Sequence, residues 1–171
     1  MRSVFRTSCY VCMVLLLGSV TGCSEDTAVT TPQVDPAGSI GVYTDAGGAG
    51  TDVIDTGGSV TLYVVHKVVP GALGSSFRIE APAGWVRLWA QPQFAVTLGN
   101  PEDGLSVGYG DCINGAIHVM TLIYDSPGNT VADSKFKVLP HSGTPEGVET
   151  VDCNRREWRN ARGIESPVTT P

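Results

Sequence analysis

The chain has 171 residues, 42% of them apolar and 16% charged, which is room for one domain with a real core and too apolar for a disordered chain. Seventeen Asp and Glu against 11 Lys and Arg give a net charge of −6. Such a surface repels nucleic acid and anionic lipid alike, so the balance argues against a DNA or RNA partner and against membrane binding through a basic face. With 21 Gly and 11 Pro, the composition suits many short strands joined by tight turns.

Arg2 and Arg6 precede an apolar stretch from about Cys9 to Val20. It is too short to cross a bilayer as a stable helix and has the layout of a secretory signal. The stretch ends in Val20-Thr21-Gly22-Cys23, which resembles the lipobox of bacterial lipoproteins. That resemblance implies cleavage before Cys23 and a lipid, palmitate included, on the Cys23 end of the mature chain. It implies an exported protein of the bacterial cell envelope, held to the membrane by its lipid anchor. Ser24 after the cysteine implies delivery to the outer membrane or cell surface where the host has one. Residues 1–22 are then a signal peptide. The remaining 149 residues carry nine basic and 17 acidic side chains, a net charge of −8. Residues 23–38 are polar and contain Pro, as expected of a flexible tether.

Residues 39–153 hold a series of β-type runs. Ser39–Thr44 comes first, and Ser59–Val69 is apolar enough for a central strand. Ser75–Glu80 alternates, with Phe77 and Ile79 to one side and Arg78 and Glu80 to the other. Val86–Trp89 also alternates. Phe94–Leu98 and Leu105–Tyr109 flank the loop 99–104. Ala116–Tyr124 is a second central candidate, closed by the turn signal Asp125-Ser126-Pro127-Gly128-Asn129. Ser134–Leu139 points Phe136 and Val138 inward, and Gly147–Cys153 is the expected last strand. No segment keeps a helical period over three turns. The reading is all-β: a single antiparallel β-sandwich of about eight or nine strands. Residues 154–171 read as a mostly disordered polar tail, with a basic cluster of Arg155, Arg156, Arg159 and Arg162 around Trp158.

Cys112 and Cys153 are the only cysteines left after Cys23, and an even pair in an exported chain predicts a disulfide. It would close a loop of about 40 residues, worth roughly 4 kcal/mol in the chain-entropy account. The run Val69-Pro70-Gly71-Ala72-Leu73-Gly74-Ser75-Ser76-Phe77-Arg78-Ile79 resembles the opening of a cohesin-type, immunoglobulin-like sandwich, in which a Gly-rich bend leads into a core strand. Phe136-Lys137-Val138 would suit a closing strand of that fold. The resemblance spans residues 39–153 in outline and implies a scaffold or binding role. It carries over no site residues, and the chain has no dockerin-like segment.

Three features carry candidate chemistry. Gly47-Gly48-Ala49-Gly50-Thr51-Asp52-Val53-Ile54-Asp55 matches the calcium-binding nonapeptide, with Asp45, Asp52 and Asp55 as oxygen donors for Ca²⁺. Only one copy is present, and a Gly-rich loop between strands explains the same letters, so no metal site is assigned. Trp85, Arg87 and Trp89 fall on one face of a strand if Val86 and Leu88 fill the core, leaving a stripe suited to sugar rings or a peptide. Tryptophans covering a sandwich edge are the structural alternative. His66, His118 and His141 are scattered, with His66 and His118 in apolar runs that favour buried, hydrogen-bonded roles. No nucleophile elbow or metalloprotease spacing is present, and Glu102-Asp103 reads as a solvated turn.

The sequence therefore predicts a lipid-anchored envelope protein with a non-enzymatic binding, display or structural domain and no cofactor. Its partners would be the membrane, through the anchor, and a cell-wall glycan or an envelope protein, with nucleic acid excluded. The rival readings are an envelope hydrolase acting on glycan or peptide, and a calcium-stabilised adhesion module.

Overall fold

The computed structural model describes residues 38–154 and 156–171, apart from the side chains of Val69 and Pro70. The expected signal peptide, Cys23, Arg155 and nearly all of the expected tether lie outside the described residues. Ten strands and no helix are present among those described. They are β1 (Ser39–Tyr43), β2 (Val53–Ile54), β3 (Gly58–Glu80), β4 (Val86–Pro92) and β5 (Val96–Asn100). Then come β6 (Gly104–Ser126), β7 (Lys135–Leu139), β8 (Val148–Asp152), β9 (Trp158–Gly163) and β10 (Glu165–Thr169).

Two 23-residue strands, β3 and β6, run antiparallel from Gly58↔Ser126 to Phe77↔Leu105 and organise the rest. Each merges two runs that the sequence reads as separate strands. The merger is irregular: the register shifts between Val68 and Ala72 and again between Ala72 and Gly74. This bend gives the two halves different neighbours. The first half of β3 and the second half of β6 pair with β1 and β4. The second half of β3 and the first half of β6 pair with β8 and β5. The two halves thereby enter opposite layers of one sandwich around a shared core. That core joins Leu62, Val64 and Leu122 from one layer to Phe77, Leu105 and Val107 from the other.

Gly71 sits in this bend with φ 141°, and a Cβ there would lie 3.0 Å from Cys153 Sγ and 3.1 Å from Cys112 Sγ. The disulfide forms as the cysteine count predicts, Cys112–Cys153 with Cα atoms 5.5 Å apart. It links the middle of β6 to the turn that follows β8.

Trp85, Tyr124 and Phe136 fill one end of the core edge-to-face, with Trp85 and Phe136 centroids 5.0 Å apart and Tyr124 and Phe136 5.2 Å apart. The Trp85 indole N–H donates to Thr130 Oγ1 at 2.7 Å.

The expectation of a disordered tail after Cys153 is corrected. β9 pairs antiparallel with β8 and parallel with β1. β10 pairs antiparallel with β7 and parallel with β2. Ala161, Ser166 and Val168 are buried, and the Ser166 hydroxyl donates to the Val42 carbonyl. Neither Gly147–Cys153 nor Phe136–Val138 closes the fold, because β9 and β10 do.

Candidate binding surface

The Trp85, Arg87 and Trp89 stripe does not exist as a face. A register shift between Arg87 and Trp89 inserts Leu88 as an extra residue in β4 opposite β6. The alternation therefore breaks in the middle of the strand. Trp85 precedes β4 and is buried, while Val86 and Leu88, expected in the core, are 58% and 60% exposed. Arg87 faces inward at the rim and pairs with Glu102. Only Trp89 remains outside, 45% exposed.

A different apolar surface forms on the other layer. Pairing registers align Val96, Gly108, Gly74, Val151 and Trp158 in one row across β5, β6, β3, β8 and β9. The next row is Leu98, Ser106, Ser76, Glu149 and Asn160. Ser75, Phe77, Val107 and Thr150, the alternate residues, are buried, so both rows lie on the outer face, where Ser76 is itself covered and its hydroxyl lies 3.1 Å from Ser106 Oγ. Leu98 is 70% exposed and Trp158 57%, and with Val96 and Val151 they wall a shallow depression of about 230 Å³. Its floor is kept low by Gly74, where a Cβ would stand 2.6 Å from the Val107 carbonyl oxygen. Sequence reasoning missed this site, because its five strands are scattered from residue 74 to residue 160. The Val96-x-Leu98 alternation was the available signal.

The three aspartates of the Gly-rich loop are not gathered. Asp45 accepts the N–H groups of Gly47, Ala49 and Gly50, the last at 2.6 Å. Those bonds hold its carboxyl below the usual range. Asp52 is exposed and Asp55 is fully buried. Asp55 accepts from the N–H groups of Gly57, Gly128 and Thr130 and from the Thr130 hydroxyl. Burial alone would raise its carboxyl, but the Thr130 hydroxyl and the surrounding backbone N–H groups hold it far below the ordinary value. Both anions are thus used to tie backbone together. Among the described residues no three His, Cys, Asp or Glu side chains form a group able to hold a metal ion.

Among the described residues, the surroundings of His66 are sealed and those of His141 hold separately engaged groups. His66 Nδ1 lies 2.9 Å from Tyr109 Oη, which donates to Ser75 Oγ at 2.7 Å, and His66 and Ser75 are buried. Burial pushes the Tyr109 hydroxyl strongly upward, so it stays a neutral link in this chain. An open depression of about 460 Å³ is lined by Arg78, Glu102, Asp103 and His141. There Glu102 pairs with Arg87, Asp103 accepts from Asn100 Nδ2 at 2.8 Å, and His141 Nδ1 accepts the Gly143 N–H.

No protein-family model and no curated protein matches this sequence. Solved structures do match. One is the sixth cohesin of scaffoldin B from Acetivibrio cellulolyticus, in complex with a Cel5 dockerin. It is 14% identical, covers 79% of this chain and 99% of its own, and gives a TM-score of 0.52. The third cohesin of ScaC from the same organism, in complex with the ScaB dockerin, is 12% identical over 77% and 97%, also at 0.52. The cohesin module of a family 33 glycoside hydrolase from Clostridium perfringens is 7% identical over 80% and 99%, at 0.50. The fold is cohesin-like. The all-β sandwich and the cohesin-type outline expected from Val69–Ile79 are both present. In this cohesin-like frame the Gly71–Gly74 bend does lead into a core strand, with Phe77 and Ile79 buried.

Proposed function

We propose that the chain is a non-enzymatic binding module of the bacterial cell envelope, exported, anchored through a lipid on Cys23, and engaging a protein partner with the outer face of β5, β6, β3, β8 and β9. The observation that carries this reading is the depression floored by Gly74 and Gly108 and walled by Val96, Leu98, Val151 and Trp158. Exposed Leu and Trp around a small-residue floor is how a folded partner gains buried apolar area without displacing backbone. Two cohesins of similar fold were solved with dockerins bound, which supports a protein as the partner. The Cys112–Cys153 disulfide suits an oxidising, extracytoplasmic location.

The test places a photo-crosslinking amino acid at Leu98 of the full chain in its own cells. The expected result is a discrete protein adduct that disappears with Trp158→Ala. Adducts no different from those formed at exposed Val131 would overturn the reading. The anchor is tested separately: palmitate label should enter the chain and be lost in Cys23→Ala.

A further inference from the structure

The layer opposite that depression presents a second face. Leu62, Val64, Met120, Leu122 and Tyr124 are buried, so their alternates on β3 and β6 point outward. Pairing sets Trp89, Ile123 and Thr61 in one row and Gln91, Thr121 and Tyr63 in the next. His118 follows opposite Val65, its ring edge-to-face with Tyr63 at 5.3 Å and its Nε2 3.1 Å from Thr121 Oγ1. The β4, β6 and β3 positions of these rows contain no Asp, Glu, Lys or Arg; on the β1 side the rows continue into Tyr43 and Gly41, where Tyr43 and Val65 are buried and the open face ends. Asp125 bounds one end, and on the β1 margin the Lys67 ammonium lies 4.6 Å over the ring of Tyr43, the partner of Tyr63.

We propose that this face binds a neutral polysaccharide chain. An acidic protein with net charge −6 that places no charged residue among the β4, β6 and β3 positions of this face, with one lysine at its β1 margin, selects against ionic ligands between Trp89 and Tyr63. What remains is aromatic surface bordered by hydroxyls and an amide. That is the chemistry for stacking on the apolar faces of sugar rings while bonding their hydroxyls. Trp89 and Tyr63 lie two strands and one row apart, so their Cα atoms are separated by roughly 12 Å from strand spacing and rise. That is farther than one sugar ring and within a short oligosaccharide. Ile123 and Thr121 of β6 stand between them, with Gln91 flanking Thr121 on the β4 side. The Leu88 bulge is the device that makes the face. By inserting one residue it turns Trp89 outward beside Ile123, where unbroken alternation from inward Arg87 would turn it toward the core.

The experiment titrates the full chain, in mild detergent, with cellohexaose, xylohexaose, mannohexaose and chitohexaose, followed by calorimetry and tryptophan fluorescence. Binding of at least one hexamer is expected. Trp89→Ala and Tyr63→Ala should each weaken it about tenfold or more, as loss of one stacked aromatic requires. Trp89→Phe should retain most of the affinity, and Trp158→Ala, on the opposite layer, should retain all of it. No binding of any hexamer at millimolar concentration overturns the proposal, as does unchanged affinity in Trp89→Ala. Either result leaves the protein-binding face untouched.

Discussion

The Asp55 carboxylate accepts hydrogen bonds from Gly57, Gly128 and Thr130, and its own N–H donates to the Thr169 carbonyl at 2.8 Å. The carboxylate therefore joins the β2 end to the turn after β6, and the main-chain N–H of the same residue ties both to the last strand. Its carboxyl is held below the ordinary value, so the unfolded chain takes up a proton first as pH falls. Asp55 thus contributes stability that is complete above the unfolded value of about 4 and is lost as pH drops toward the folded one. Urea midpoints should stay level from pH 7 to about pH 5 and then decline, and Asp55→Asn should lower the neutral plateau and flatten the acid limb. At Gly74 the constraint is steric. A methyl group would press on the Val107 carbonyl, so Gly74→Ala should cost about 1–3 kcal/mol by urea unfolding.

At the scale of elements, the disulfide and the last two strands carry the argument. Reducing Cys112–Cys153, which closes a separation of 41 residues, should cost up to about 4 kcal/mol. Near-ultraviolet dichroism of the Cys112→Ala/Cys153→Ala variant against urea measures it. Truncation after Asn154 should do more: it strips partners from β1, β2, β7 and β8 and removes the buried Ala161, Ser166 and Val168. The truncated chain should lose its cooperative unfolding transition. These strands were not legible in the sequence. Trp158-Arg159-Asn160-Ala161-Arg162-Gly163 lacks β-branched residues, and Pro167 interrupts the run after it, so their strand form comes from tertiary pairing. Elsewhere alternation was a sound guide: Phe136 and Val138 are buried with Lys135 and Lys137 outside, as read. Alternation failed at Val86–Trp89, since a bulge leaves no mark in a period of two. Pairing partners were also invisible, so neither the shared face of Val96, Leu98 and Trp158 nor that of Trp89 and Tyr63 could be read beforehand.

For the whole molecule, the question is whether the apolar residues outside the core hold the sandwich together or are presented by it. Leu98 and Trp89 belong to opposite layers, with a core thickness of about 10 Å between the sheets that carry them. Neither residue is part of the buried core cluster. A residue displayed to solvent contributes little to folding, whereas one that packs a sandwich edge costs several kcal/mol on removal. Leu98→Asp and Trp89→Ala should therefore each change the unfolding free energy by about 1 kcal/mol or less. The double variant should equal their sum within about 0.5 kcal/mol, because they share no partners and lie far apart. Phe136→Ala, inside the aromatic cluster, sets the contrasting scale at about 3–5 kcal/mol. A loss of that size at Leu98 or Trp89, or a strong coupling between them, would make these side chains structural and remove the basis for treating either layer as a docking face.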